Sequence, residues 1–222
     1  MAKDAVETVV RRKVWDLPVR LYHWCQAGLL VGLWWTAEQG DMEWHLFLAY
    51  SLIALWSSRI VWGFVGSETA RFSQFLRSPI EAFRYLRGKP HTAPGHNPAG
   101  GWMVVLLITL VAVQFGSGLF TSDDIFTEGP LYSAVSSDVS SLMGQVHEWN
   151  FDVLLGAVAM HLLAVAVYEL KGHRLVVPMF SGKQKAGAQT VDAVMRPVWI
   201  WLVILAVFAG GIYYWWQPEI PW

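Results

Sequence analysis

Five stretches of this chain are apolar over nearly the length of a bilayer crossing, and polar segments separate them. They run from about Pro18 to Ala37, Trp44 to Phe64, Gly101 to Thr121, Gly144 to Leu170 and Pro197 to Trp216. About 20 apolar residues in a helix span the ~30 Å of hydrocarbon in a membrane. A helix also satisfies its own backbone where no water is available. The pattern therefore predicts an all-α integral membrane protein. Asp16 is placed to cap the first helix, with Pro18 in its first turn, and Asn97–Pro98 marks the start of the third. Between spans two and three, Pro79–Arg87 reads as a short amphipathic surface helix, and residues 122–142 read as a loop. The division that follows is an N-terminal tail over 1–17, a four-helix unit over 18–184, and a linker with a fifth helix over 185–222.

Charge orients this array. All 16 Lys and Arg lie in the N-terminal tail, the 66–100 and 171–196 connections, or the ends of spans facing them. The 38–43 turn and the 122–142 loop carry none and are acidic. The positive-inside rule then puts the N-terminus in the cytoplasm and the C-terminus outside. The first 20 residues hold no apolar core, so no cleavable signal peptide is expected. Charged residues make up 15% of the chain, against about 25% in soluble domains, and the lipid bilayer is the expected partner. With a net charge of −1, nucleic acid is not. Trp15, Trp34, Trp35, Trp44, Trp62, Trp102, Trp149, Trp215 and Trp216 gather near span ends, like an aromatic belt. The single cysteine, Cys25, rules out a disulfide framework, a CxxCH haem attachment and a cysteine-ligated iron–sulfur cluster. It reads as a small buried hydrophobe.

The candidate chemistry lies in four histidines within the spans. His147 and His161 are 14 residues apart, close to four turns, so they share a face about 21 Å apart along the fourth helix. An ionisable group inside a span usually faces a partner within the bundle. Topology gives each histidine a depth: His23 and His161 on the inner side, His45 and His147 on the outer. Two bis-histidine sets result, with axial haem ligation as the leading chemistry. Interhelical hydrogen bonding or a proton relay are the alternatives. Zinc is disfavoured because each pair supplies only two of four ligands. The remaining histidines, His91, His96 and His173, fall in connections on the inner side.

Arg59 lies 14 residues after His45, on the same face and at inner-pair level, and Arg20 lies one turn before His23. Each is suited to pairing with a haem propionate, or to snorkelling towards headgroups. Gly28-x-x-x-Gly32 allows close approach by a helix or a flat ring. The same two readings hold for Gly116 and Gly118.

The segments VWDLPVRLYHW (14–24), WH at the start of span two, GHNPAGG (95–101), SGLF after span three, VHEWNFDVLLGAVAMH (146–161) and LVVPMFSGKQ (175–184) resemble the bacterial cytochrome b561 family. That family includes the b-type cytochrome subunits of membrane-bound nickel–iron hydrogenases. The resemblance covers about residues 14–184. It implies a four-helix transmembrane bundle with two haem b groups, held by His23 with His161 and His45 with His147, in the bacterial inner membrane; the outside, where the charge distribution puts the C-terminus, is then the periplasm. It further implies electron exchange between the quinone pool and a redox partner such as a c-type cytochrome or a hydrogenase-like subunit. The fifth helix is an addition suited to docking a partner, and a homodimer is compatible with it. The alternative is a stand-alone quinone-coupled oxidoreductase, such as a superoxide oxidase. A haem-free membrane anchor is the third reading.

Overall fold

A computed structural model of the chain describes residues 10–89, 95–122, 127–186 and 192–216. Five long helices dominate: α1 (Leu17–Gln39), α2 (Met42–Val65), α5 (Pro98–Gly118), α6 (Ser137–Leu170) and α8 (Val198–Trp216). Short helices α3 (Phe72–Phe75), α4 (Pro79–Leu86) and α7 (Val176–Ser181) lie in the connections. Strands β1 (Val10–Lys13) and β2 (Lys183–Ala186) form one antiparallel ribbon. Helices α2, α5, α6 and α8 are long and apolar enough to cross a membrane. Helix α1 is of similar length, 23 residues, but is interrupted by Arg20, His23, Gln26 and two terminal polar residues.

Local chemistry sets the boundaries. Asp16 accepts the Val19 N–H at 2.8 Å, and Gly40 stops α1 in the left-handed region at φ 69°. Asn97 accepts the Gly100 N–H at 2.7 Å at the start of α5. The expected surface helix is present as α4. One expectation fails: residues 137–142 are helix, not loop. Ser136 caps α6, which runs for 34 residues, or about 51 Å. The first two turns carry Ser137, Asp138, Ser140 and Ser141, so they lack the apolar signal that marks the rest.

Helix α1 packs along α2, α5 along α6, and α8 along the outside of α2, while α2 and α5 meet only briefly. One buried cluster joins Val19 and Tyr22 of α1 to Leu55 and Trp62 of α2 and to Trp201 of α8. A second joins Leu52 of α2, Val111 of α5 and Leu154 of α6. The Trp201 indole N–H donates to the Ser58 hydroxyl at 3.2 Å, tying α8 to α2.

Two further expectations are corrected. Trp62 is not a belt residue: it is fully buried, and its indole N–H donates to Asp16 at 2.8 Å. Cys25 is exposed rather than buried on the isolated chain. The remaining belt tryptophans include Trp34, Trp35, Trp149 and Trp215, all well exposed on the isolated chain.

Candidate functional site

Helix α6 carries His147 and His161, and each faces a histidine from the other helix pair. His161 lies opposite His23 of α1, with ring centres 6.4 Å apart. His147 lies opposite His45 of α2, with ring centres 6.5 Å apart. Imidazoles at this separation neither stack nor hydrogen-bond directly. A metal ion between them, with bonds of about 2.1 Å and roughly 1.1 Å from nitrogen to ring centre, needs ring centres ~6.4 Å apart. Both pairs have the spacing of two axial ligands on one metal. Among the described residues no three His, Cys, Asp or Glu side chains gather as a metal site. The protein thus offers two ligands per site, which suits a metal whose other positions a macrocycle fills.

The outer pair is oriented by its backbone. His45 Nδ1 is 3.0 Å from the Leu33 carbonyl oxygen, and His147 Nδ1 is 2.9 Å from that of Gln114. A carbonyl only accepts, so each Nδ1 carries the proton and each Nε2 keeps a lone pair. This is the outer-shell arrangement typical of metal-ligating histidines. The Thr36 and Ser117 hydroxyls lie 3.3 Å from the same Nδ1 atoms. Asn150 donates to the Gln114 side chain at 2.6 Å, and Gln114 in turn donates to the His147 carbonyl at 3.1 Å, bracing α5 against α6. Gly118 lies against the His147 ring, where an added Cβ would come within 3.0 Å of Cε1; Gly116 has nothing within 4 Å. Gly32 admits Leu48 of α2, while Gly28 touches nothing. Of these four glycines, only Gly32 and Gly118 serve close packing.

The inner pair has a different environment. Buried polar atoms without a hydrogen-bond partner concentrate there: Arg20 Nε, Tyr22 Oη, His23 Nδ1, Gln26 Oε1, Arg59 Nη1, Arg71 Nε and His96 Nδ1. Several are N–H or O–H donors, and each buried donor left unpaired costs about 1–3 kcal/mol. Arg59 is 3% exposed. Its guanidinium lies 5.8 Å from the Tyr22 ring centre and 5.2 Å from that of Phe72. Arg20 rests over the backbone at Gly182, whose φ of 74° excludes most side chains. His96 sits between the rings of Trp15 and Phe75, at 4.6 and 4.8 Å. Burial, helped by the charges of Arg59, His161 and His23, pushes its pKa down to about 3, so it stays neutral. This set of donors suits an anionic group with several carboxylate oxygens. A porphyrin bearing propionates supplies such oxygens, so the residues fit a haem at this end as the ring spacing does at both.

Sequence reasoning singled out Arg20 and Arg59 but gave no role to Tyr22, Gln26 or Arg71. Tyr22 and Gln26 flank His23 along α1, and their position beside it was available from helical spacing. Arg71 lies outside the spans, next in the chain to Phe72, which the fold brings against Arg59. His173 stands apart, against Tyr168, and His91 lies outside the described residues.

No curated protein and no solved structure matches the chain significantly. The family model of prokaryotic cytochrome b561 matches residues 14–182, from the foot of α1 through α7, and takes in all four span histidines. The chain therefore belongs to the prokaryotic cytochrome b561 family, membrane b-type cytochromes that carry electrons.

Proposed function

We propose that this protein is a di-haem cytochrome that passes electrons across the cytoplasmic membrane, between the quinone pool and a redox partner protein. His23 and His161 hold the inner haem, and His45 and His147 the outer. The observation that carries this reading is the pair of ring separations, 6.4 and 6.5 Å, repeated at two levels of one helix. A bis-histidine haem exchanges single electrons and leaves no iron position open to a substrate. The Leu33 and Gln114 carbonyls fix the outer imidazoles, and Arg20, Arg59 and Arg71 supply donors for carboxylates at the inner end. Residues 18–184 form the haem-binding unit, with α1 as the fifth membrane crossing beside the four more apolar helices. The distribution of Lys and Arg supports a cytoplasmic N-terminus and a periplasmic C-terminus. Helix α8, held to α2 by Trp201, adds an outer wall suited to a partner subunit.

The test is a dithionite-reduced minus oxidised spectrum with pyridine haemochrome quantitation on the purified protein. Two b haems per chain are expected. A preparation that stays colourless when supplied with haem, or one that saturates at a single haem, refutes the assignment. Superoxide-driven quinone reduction by the purified protein alone would replace the partnered reading with that of an oxidase.

A further inference from the structure

The ribbon of β1 and β2 pairs Arg11 with Lys185, Arg12 with Gln184 and Lys13 with Lys183. Alternate residues of a strand point to opposite faces. Arg11, Lys13, Lys183 and Lys185 therefore share one face, and all four are exposed; Arg12 and Gln184 share the other and are half-buried. Two like-charge pairs stand directly opposite each other across the ladder, which works against pairing. An isolated two-stranded ribbon is marginal in any case. The nearby carboxylate, Asp192, pairs with Arg12 on the opposite face at 3.9 Å and accepts the Lys13 backbone N–H at 3.2 Å. Among the described residues no carboxylate forms an ion pair with any of the four cations.

The ribbon is held firmly at the foot of α1. The Gly182 carbonyl accepts from the Val14 and Trp15 N–H groups at 2.9 and 3.2 Å. Helix α7, which leads into β2, exposes Val177 and Phe180. Phe180 stacks on Trp24 of α1 at 4.5 Å, and the Trp24 indole N–H donates to the Met179 carbonyl at 3.3 Å. A fixed cationic face thus stands beside an exposed aromatic and aliphatic surface, on the side where α1 begins. That combination fits a molecule with a negative head and an apolar tail.

We propose that this ribbon is a binding surface for anionic phospholipid headgroups of the adjoining leaflet. The phosphates are met by Arg11, Lys13, Lys183 and Lys185, and the acyl chains lie along Trp24 and Phe180. The proposal requires only that the helices are embedded in a membrane, and it stands apart from the haem assignment. Each cation close to an anionic lipid surface is worth about fivefold in affinity.

The test uses the full-length protein as purified in detergent, titrated with fluorescent phosphatidylglycerol and phosphatidylcholine. The wild type is expected to prefer phosphatidylglycerol. The double substitution Lys183→Gln/Lys185→Gln lowers that affinity roughly 25-fold and leaves phosphatidylcholine unchanged. Lys171→Gln, on the same side but off the ribbon, leaves both unchanged. A far-ultraviolet circular-dichroism spectrum and a thermal midpoint equal to those of the wild type show that the double variant is folded. Equal phosphatidylglycerol affinity in the wild type and the double variant overturns the proposal. So does binding of a polyglutamate peptide, but not of phosphatidylglycerol, in a Lys183- and Lys185-dependent way, which would assign the ribbon to an acidic protein partner.

Discussion

Replacing Arg59 with leucine should separate the two proposed haem sites. Arg59 is 3% exposed, and its Nη1 has no hydrogen-bond partner among the described residues. The flanking Tyr22 and Phe72 rings offer cation–π contacts worth about 2 kcal/mol each when desolvated. Removing an ion from water costs several kcal/mol. The Asp16 carboxylate acts on the guanidinium from the foot of α1, but it already accepts from Val19 and Trp62. The balance favours a further anion beside Arg59, which in the proposed di-haem arrangement a carboxylate of the inner haem supplies. A charge-assisted hydrogen bond contributes about 1.5–3 kcal/mol, so Arg59→Leu should weaken inner-haem binding tenfold to roughly 150-fold. The outer site, about 21 Å away along α2, should be unaffected. The assay follows haem transfer to excess apomyoglobin in a His45→Ala background, which should retain mainly the inner haem. Arg59→Lys should recover part of the affinity, because it restores the charge but not the planar fork. Inner-haem affinity within twofold of the parent in Arg59→Leu would refute the reasoning, because the guanidinium would then hold no haem carboxylate.

The remaining predictions probe the ligands, the packing and the fold. His161→Ala should lose mainly the inner haem and His45→Ala mainly the outer, read by haemochrome content and by separate redox titration steps; equal loss of both haems from each variant contradicts the pairing. Gly118→Ala brings a methyl group to 3.0 Å from His147 Cε1 and should shift the electron-paramagnetic-resonance signal of the outer haem. Gly116→Ala meets nothing within 4 Å and should leave that signal unchanged. Asp16→Ala removes a helix cap worth about 1 kcal/mol and strands the buried Trp62 indole N–H at about 1–3 kcal/mol more. A loss of about 2–4 kcal/mol should appear in thermal unfolding in detergent. Adding Trp62→Phe to Asp16→Ala should cost less than Trp62→Phe alone, since the orphaned donor is gone.

The apolar runs alone locate the five long helices to within a few residues, apart from the start of α6, because leaving water requires a long, mostly apolar segment whatever its neighbours are. Asp16 and Asn97 announce helix starts because capping is local chemistry. The spacing of 14 between His147 and His161 fixes a common face and two depths by helical geometry alone, and topology then matches each with a histidine at its own level. What needed the tertiary structure is the rotation of each helix about its axis. These helices are apolar almost all round, and lipid is as apolar as a core, so composition does not say which side turns inward. Trp62 is buried on Asp16 while Cys25 faces outward, and Gly32 admits Leu48 while Gly28 admits nothing, though each pair looks alike in sequence. The gathering of Arg59, Arg71 and His96 at the inner histidines, and the pairing of β1 with a strand some 170 residues later, likewise arise only when distant segments meet. Which segments are apolar enough to leave water, and the two helical levels of the histidines, follow from hydrophobicity and helical period, which act along the chain. Which side chains meet depends on packing across helices, which no single segment contains.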